Sequence, residues 1–281
     1  MQKIPQLWLG TWRLIWDTLL QSIPEALEIG YRHFDTAWIY GNETELWTAL
    51  QQACIPRDQL WITSKVWFDY VPNHQAHQFS SSDFAYTQLT SRFESSLKAL
   101  KTDYLDLVLL HRPTTPDNDA QAFETLLQLK KEGKIRQVWV ANFPLSQLQK
   151  LYTRFGDEIY TDQIEWHTCL NAPALESFAK EKNLILTAYS PFWQWNLFKQ
   201  KALFDLADQL WIFISQLCIA YLLAKNAVVI PKASSFARLQ VNFNAKNLHL
   251  SESIIAQIDA LPKSYRYCNP PFAPKWENDR F

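Results

Sequence analysis

Short runs rich in branched apolar residues alternate along this chain with longer stretches in which apolar positions recur every three to four residues. The short runs predict strands at Leu7 to Leu9, Arg32 to Phe34, Leu60 to Ser64, Leu105 to Leu110, Arg136 to Val140, Tyr160 to Gln163, Ile185 to Ala188 and Val228 to Ile230. The longer stretches predict helices at Asp17 to Ile29, Glu43 to Ala53, Ser82 to Leu100, Asp119 to Glu132, Leu145 to Phe155, Ala172 to Lys182, two pieces across Leu203 to Ala224, and Phe236 to Ala245. Gly30 and Gly133 stand where C-terminal caps belong, and Ser82 and Asp119 can cap N-termini. Pro24 falls inside the first helix and blurs its boundary.

Alternation of this kind builds a parallel sheet covered by helices. An open doubly wound sheet would carry a GxGxxG turn for dinucleotide phosphates, and none occurs. The expectation is an α/β protein folded as a closed (β/α)8 TIM barrel, one domain over residues 1–281, with the Pro-rich tail 262–281 folding over the body. Such a barrel gathers its chemistry at the C-terminal ends of its strands. Those ends supply Asp35, Lys65, His111, Asn142, Gln163, Tyr189 and Lys232, with Tyr40 one short loop beyond Asp35.

Composition narrows the partners. Lys and Arg total 27 against 28 Asp and Glu, which leaves no net field for nucleic acid or anionic lipid. The opening MQKIPQLWLG lacks the basic-then-apolar order of a secretory signal, and no stretch has the length of a membrane span. A cytoplasmic protein with neither nucleic acid nor membrane as partner is expected. The four cysteines are scattered without CxxC spacing or a histidine cluster, so they read as reduced thiols and no metal site is expected.

Seven segments, GYRHFDTAWIYGNE (30–43), SKVW (64–67), DYLDLVLLHRP (103–113), GKIRQVWVANF (133–143), DQIEWH (162–167), TAYSP (187–191) and VIPKASS (229–235), resemble in content and order the signature segments of the aldo-keto reductases. The short N-terminus and FAPKWEND (272–279) are similar to the bacterial branch of 2,5-diketo-D-gluconate and methylglyoxal reductases. The resemblance implies a monomer that uses NADPH to reduce an aldehyde or ketone, a small dicarbonyl or keto sugar acid. Hydride addition to a carbonyl creates an alkoxide that must receive a proton. The resemblance makes Tyr40 that donor, with Lys65 lowering its pKa, Asp35 holding Lys65, and His111 bonding the carbonyl oxygen.

For the cofactor, the resemblance implies Tyr189 stacked on the nicotinamide and the Asn142 and Gln163 amides on its carboxamide. Lys232, Ser234 and Arg238 would hold the 2′-phosphate, which prefers NADPH, and Thr11, Ser190 and Asn242 complete the set. Trp12, Trp67, His111 and Arg112 would face the substrate. Arg112 replaces a common family Trp, and a cation there suits a carboxylate-bearing or polyhydroxy substrate unless it points to solvent or pairs with neighbours of Asp35. Val241 replaces a family Glu and Ala141 a family Ser.

Taken singly, each residue has an ordinary reading: a surface Tyr or Lys, an amide satisfying local backbone, a solvated cation. Two other functions stay open on the sequence, a non-catalytic nucleotide-binding regulatory barrel and a phosphate-binding isomerase or aldolase.

One compositional anomaly cuts across this picture. The chain has 5 Gly where ordinary usage gives roughly 20, and 13 Trp. Set against the family pattern, Trp8, Trp16, Trp47, Trp139, Trp193, Trp195 and Trp211 stand at glycine positions, while Trp12, Trp61, Trp67 and Trp276 stand where aromatics are normal. A lineage that reads UGA as glycine would give this pattern when its gene is translated with UGA as tryptophan. A glycine-poor lineage is the alternative, but a random loss would not choose Trp.

Overall fold

The computed structural model describes residues 4–67, 86–263, 266–270, 273 and 275–276. Eight parallel strands lie in chain order: β1 (Leu9–Gly10), β2 (His33–Asp35), β3 (Trp61–Val66), β4 (Leu105–Leu110), β5 (Ile135–Ala141), β6 (Thr161–Glu165), β7 (Ile185–Tyr189) and β8 (Val228–Ile230). Backbone bonds from Trp8 N to Val229 O (3.0 Å), Val229 N to Gln6 O (2.9 Å) and Gly10 N to Pro231 O (3.1 Å) join β8 to the first strand. The (β/α)8 barrel expected from the alternation is the observed fold.

Among the described residues ten α-helices accompany the strands: α1 (Trp16–Ile29), α2 (Glu43–Gln52), α3 (Tyr86–Ala99), α4 (Pro116–Lys131), α5 (Leu145–Phe155), α6 (Pro173–Glu181), α7 (Lys201–Gln209), α8 (Ile214–Ala224), α9 (Phe236–Asn244) and α10 (Glu252–Asp259). Among the described residues no single helix is long and apolar enough to cross a membrane. Helix α1 runs through Pro24 and ends on Gly30, whose φ of 117° is the left-handed cap that glycine adopts without strain. Gly133, just past α4, has φ 78°.

Asp119 is not the cap expected of it. Pro116 opens α4 three residues earlier, where its missing N–H costs nothing, and Thr115 accepts from Asn118 N as the N-cap. Asp119 instead reaches back to the backbone N–H of Thr114 at 2.7 Å. Ser82, the other expected cap, lies outside the described residues. Helix α10, which the periodicity did not predict, is capped by Ser251 and tied to α8 through Tyr221 and Lys225 on Asp259.

Burial divides into two bodies. Helix faces pack on the outward strand residues in one continuous core, while Trp8, Leu107, Leu109, Trp139, Ala141, Val228 and Ile230 form a separate apolar cluster contributed by the strands. Trp8 stacks on His33 at 3.7 Å, and His33 meets Thr63 at 2.6 Å. This packed interior is the floor on which the chemistry stands.

The unusual tryptophans distribute unevenly over the fold. Trp139 and Trp8 are buried in the barrel, and the Trp139 indole N–H has no hydrogen-bond partner among the described residues. That feature alone does not single out the set, since Trp166 shares it. Trp193 and Trp211 hold φ of 44° and 55°, the region that favours glycine. Trp211 follows the C-cap of α7 with its side chain 95% exposed, so the indole gains little packing there. Left-handed backbone at a non-glycine residue costs roughly 1–2 kcal/mol, partly offset by glycine's freer unfolded chain, about 0.4–1 kcal/mol. Trp211→Gly is therefore expected to raise the thermal midpoint by a few degrees, and a lower midpoint would count against the glycine reading here. The side chain of Trp195 lies outside the described residues.

Candidate active site

The C-terminal strand ends bring the predicted polar residues together. Asp35 closes β2, Lys65 is the penultimate residue of β3, and His111 follows β4 with its N–H on Val66 O at 3.0 Å. Lys65 Nζ donates to Asp35 Oδ1 at 2.6 Å, to Thr36 O at 2.8 Å and to the Tyr40 hydroxyl at 3.5 Å. Tyr40 reaches this point from a tight turn, Trp38–Tyr40, that ends at Gly41 with φ 65°. Asn42 braces the turn: its amide donates to Thr11 O and Leu14 O and accepts from Thr36 Oγ1. Glu43 accepts from Ser64 at 2.6 Å, next to Lys65.

Electrostatics here departs from the sequence expectation. Burial pushes the Tyr40 pKa up by more than the Lys65 charge pulls it down, and Asp35 and Cys268 add to the rise, so Tyr40 titrates above an ordinary tyrosine. Lys65 did not bring it below. Burial alone would lower Lys65 itself, but the charges of Asp35 and Tyr40 outweigh it and its pKa is raised. His111, whose ring meets Tyr40 edge-on at 6.1 Å, is held well below the usual histidine range by burial, then by Lys65 and Arg112. It is a neutral imidazole at pH 7.

Two amides are fixed beside this group. Gln163 Nε2 donates to Asp35 Oδ2 at 2.9 Å. Asn142, with φ 64°, donates to His111 O at 2.9 Å and accepts from the Tyr189 hydroxyl at 2.7 Å. Thr11 is buried, and its hydroxyl donates to Asp35 O at 3.1 Å. Ser190 follows Tyr189 in a left-handed turn, φ 51°.

Across the barrel mouth, Lys232 lies two residues past β8, with Ser234 and Ser235 leading into α9, which carries Arg238 and the buried Asn242. Burial, then the charges of Arg13 and Arg238, lower the Lys232 pKa, so both guanidinium charges are felt at Lys232. Arg13 was not expected. It stands in the β1–α1 loop at φ 60° with its guanidinium 4.2 Å over the Trp12 ring.

A model of the aldo/keto reductase family matches residues 6–263. The chain belongs to the aldo/keto reductase family. Methylglyoxal reductase DkgB of Escherichia coli O157:H7 is 32% identical over 278 residues, 98% of this chain and 99% of that protein. The 9,11-endoperoxide prostaglandin H2 reductase of Trypanosoma cruzi is 30% identical over 96% of this chain and 92% of its own. The crystal structure of the aldo-keto reductase MGS-M4, from a Medee basin deep-sea metagenome library, superposes with TM-score 0.83 at 30% identity, covering 95% of this chain and 96% of that one. The protein is thus a carbonyl oxidoreductase that works with a nicotinamide cofactor.

In this aldo/keto reductase the ring of buried Trp67 meets His111 edge-on at 5.9 Å, and Trp12 stands exposed beside Arg13. Arg112 is half-buried, and its charge is felt at His111, Tyr189 and Cys268. The tail brings contacts that carry no sequence signal. Glu165, at the end of β6, accepts from Tyr267 N at 3.0 Å and Cys268 N at 2.7 Å, and Arg266 donates back to Glu165 O at 3.1 Å while stacking on Trp276. The Cys268 thiol is pushed up to about 11 by burial and by Glu165 and stays protonated at pH 7.

Proposed function

We propose that this chain is a monomeric, cytoplasmic, NADPH-dependent reductase of a small dicarbonyl or keto sugar acid, folded as one unit over residues 1–281, with Tyr40 as the proton donor. The observation that carries the reading is Tyr40 hydroxyl 3.5 Å from a lysine that is locked on Asp35 at 2.6 Å. Bound NADPH supplies the hydride. The protein then delivers a proton from Tyr40 to the new alkoxide, and Lys65 stabilises the phenolate left behind. Neutral His111 donates an N–H to the carbonyl oxygen as its charge grows.

The cofactor reading rests on what the site offers. Tyr189 presents a ring tied to Asn142, the Asn142 and Gln163 amides are oriented, and the charges of Arg13 and Arg238 act on Lys232, two residues before Ser234, a set of cations suited to a 2′-phosphate. The Arg112 charge near His111 favours a substrate bearing a carboxylate or hydroxyl groups. The names of relatives that reduce methylglyoxal fit a small dicarbonyl.

The test is NADPH oxidation, followed by absorbance, with methylglyoxal, aromatic aldehydes and diketo sugar acids. No turnover with any carbonyl despite tight NADPH binding would overturn the reading in favour of a regulatory barrel. The double substitution Lys232→Ala and Arg238→Ala removes two charge-assisted contacts of about 1.5–3 kcal/mol each. It is expected to lower the preference for NADPH over NADH by about 100-fold or more. Equal loss for both cofactors would show that these cations do not read the 2′-phosphate.

A further inference from the structure

We infer that Asp35 has a second task besides holding Lys65: its other oxygen sets the direction of the Gln163 amide and so the kind of group that the nicotinamide must present. The inference rests on the cofactor reading above. Asp35 is buried, and its two oxygens are divided, Oδ1 to Lys65 at 2.6 Å and Oδ2 to Gln163 Nε2 at 2.9 Å. A carboxylate paired with a lysine only accepts hydrogen bonds. The Gln163 amide must therefore turn its nitrogen to Asp35, and what remains for a ligand is its carbonyl oxygen.

Gln163 is itself buried, so a reversed amide would set oxygen against carboxylate without solvent to screen the repulsion. Asn142 is fixed by the same logic, because its amide nitrogen faces the His111 carbonyl, an acceptor, and its oxygen faces the Tyr189 hydroxyl, a donor. Gln163 is thus an acceptor toward the cofactor, and the site recognises a primary amide through its N–H. Asp35 thereby links the charge pair under Tyr40 to recognition of the cofactor ring. Gln163 is a positioning residue in this arrangement.

The test compares binding of NADP+ with its 3-acetylpyridine analogue, in which a methyl replaces the amide nitrogen, followed by quenching of tryptophan fluorescence. Wild-type protein is expected to bind the amide form about tenfold more tightly, the value of one hydrogen bond. Gln163→Leu, with no acceptor, brings the two affinities within about twofold. Asp35→Asn does the same while Gln163 remains, because Lys65 donates only and keeps the Asn oxygen, so the Asn nitrogen faces Gln163, which must turn its oxygen inward and its nitrogen to the ligand. A full tenfold gap persisting in Asp35→Asn, or no gap in the wild type, would overturn the inference while leaving the cofactor reading intact. Failure of the wild type to bind either dinucleotide would overturn both.

Should Asp35→Asn not fold, Gln163→Glu carries the same question. Two carboxyls this close share a proton, so its NADP+ affinity should fall as pH rises while the wild type stays flat. A pH-independent Gln163→Glu would overturn the inference.

Discussion

Tyr40→Phe, which removes a single oxygen, is expected to lower carbonyl-reduction turnover by about 10³-fold, within the 10²–10⁴ range of a positioned general acid, while NADP+ affinity changes by less than about twofold. The ring would keep its place edge-on to His111 at 6.1 Å, so the loss isolates the proton. His111 cannot stand in, because its pKa is driven well below the usual histidine range and its neutral ring is a reluctant proton donor. The raised pKa of Tyr40 fixes the sign of the pH dependence. The proton must be on Tyr40 for reduction, so turnover stays level through neutral pH and falls only above the ordinary tyrosine value of about 10. Steady-state rates from pH 6 to 11 check both points. A fall beginning near pH 7 would mean that Lys65 dominates after all, and residual activity within tenfold of wild type would move the proton donor elsewhere.

What could be read in the sequence was local. Asp35, Lys65, His111, Asn142, Gln163 and Tyr189 were legible because the rule that barrel chemistry sits at strand ends needs only the strand positions. The predicted strands stopped one or two residues short of the observed ends at Val66, Glu165 and Tyr189, an error too small to move the strand-end residues away from the barrel mouth. The direction of the Tyr40 pKa shift was not legible, because it depends on how deeply the turn Trp38–Tyr40 is buried, and burial is a property of the assembled mouth.

Arg13 and Glu165 were missed for a different reason. Arg13 joins Lys232 from the far end of the chain, across the seam where β8 meets the first strand. Glu165 binds backbone N–H groups of Tyr267 and Cys268, about a hundred positions away, and backbone groups carry no sequence signature. The resemblance supplied motifs for the strand ends and for FAPKWEND (272–279), but none for the stretch from Arg266 to Cys268 that is held through its main chain. Helix α10 was hidden by its length, eight residues, over which a helical period is hard to tell from chance.

Lys65→Met is expected to destabilise the protein by about 3–5 kcal/mol, the usual consequence of removing one partner from a buried ion pair, and so to lower the thermal midpoint by roughly 10 °C. The pair is almost wholly shielded, with side-chain exposures of 1% for Lys65 and 6% for Asp35, and methionine fills the space without supplying charge. Asp35 would keep its bond to Gln163 but lose its cation, and Thr36 O would lose a donor. The folded state raises the Lys65 pKa, so the stabilisation is fully present below the unfolded lysine value of about 10.4 and is lost as pH climbs through the folded value. The gap between wild type and variant should therefore be constant from pH 6 to 9 and narrow under strongly alkaline conditions. Adding Asp35→Asn to Lys65→Met should recover part of the loss, because the cost lies mainly in the stranded carboxylate rather than in the missing attraction. Urea unfolding of the four proteins in that cycle decides it. Strictly additive losses would mean that the two charges do not stabilise each other, and the lysine under Tyr40 would then be held by packing and by Thr36 alone.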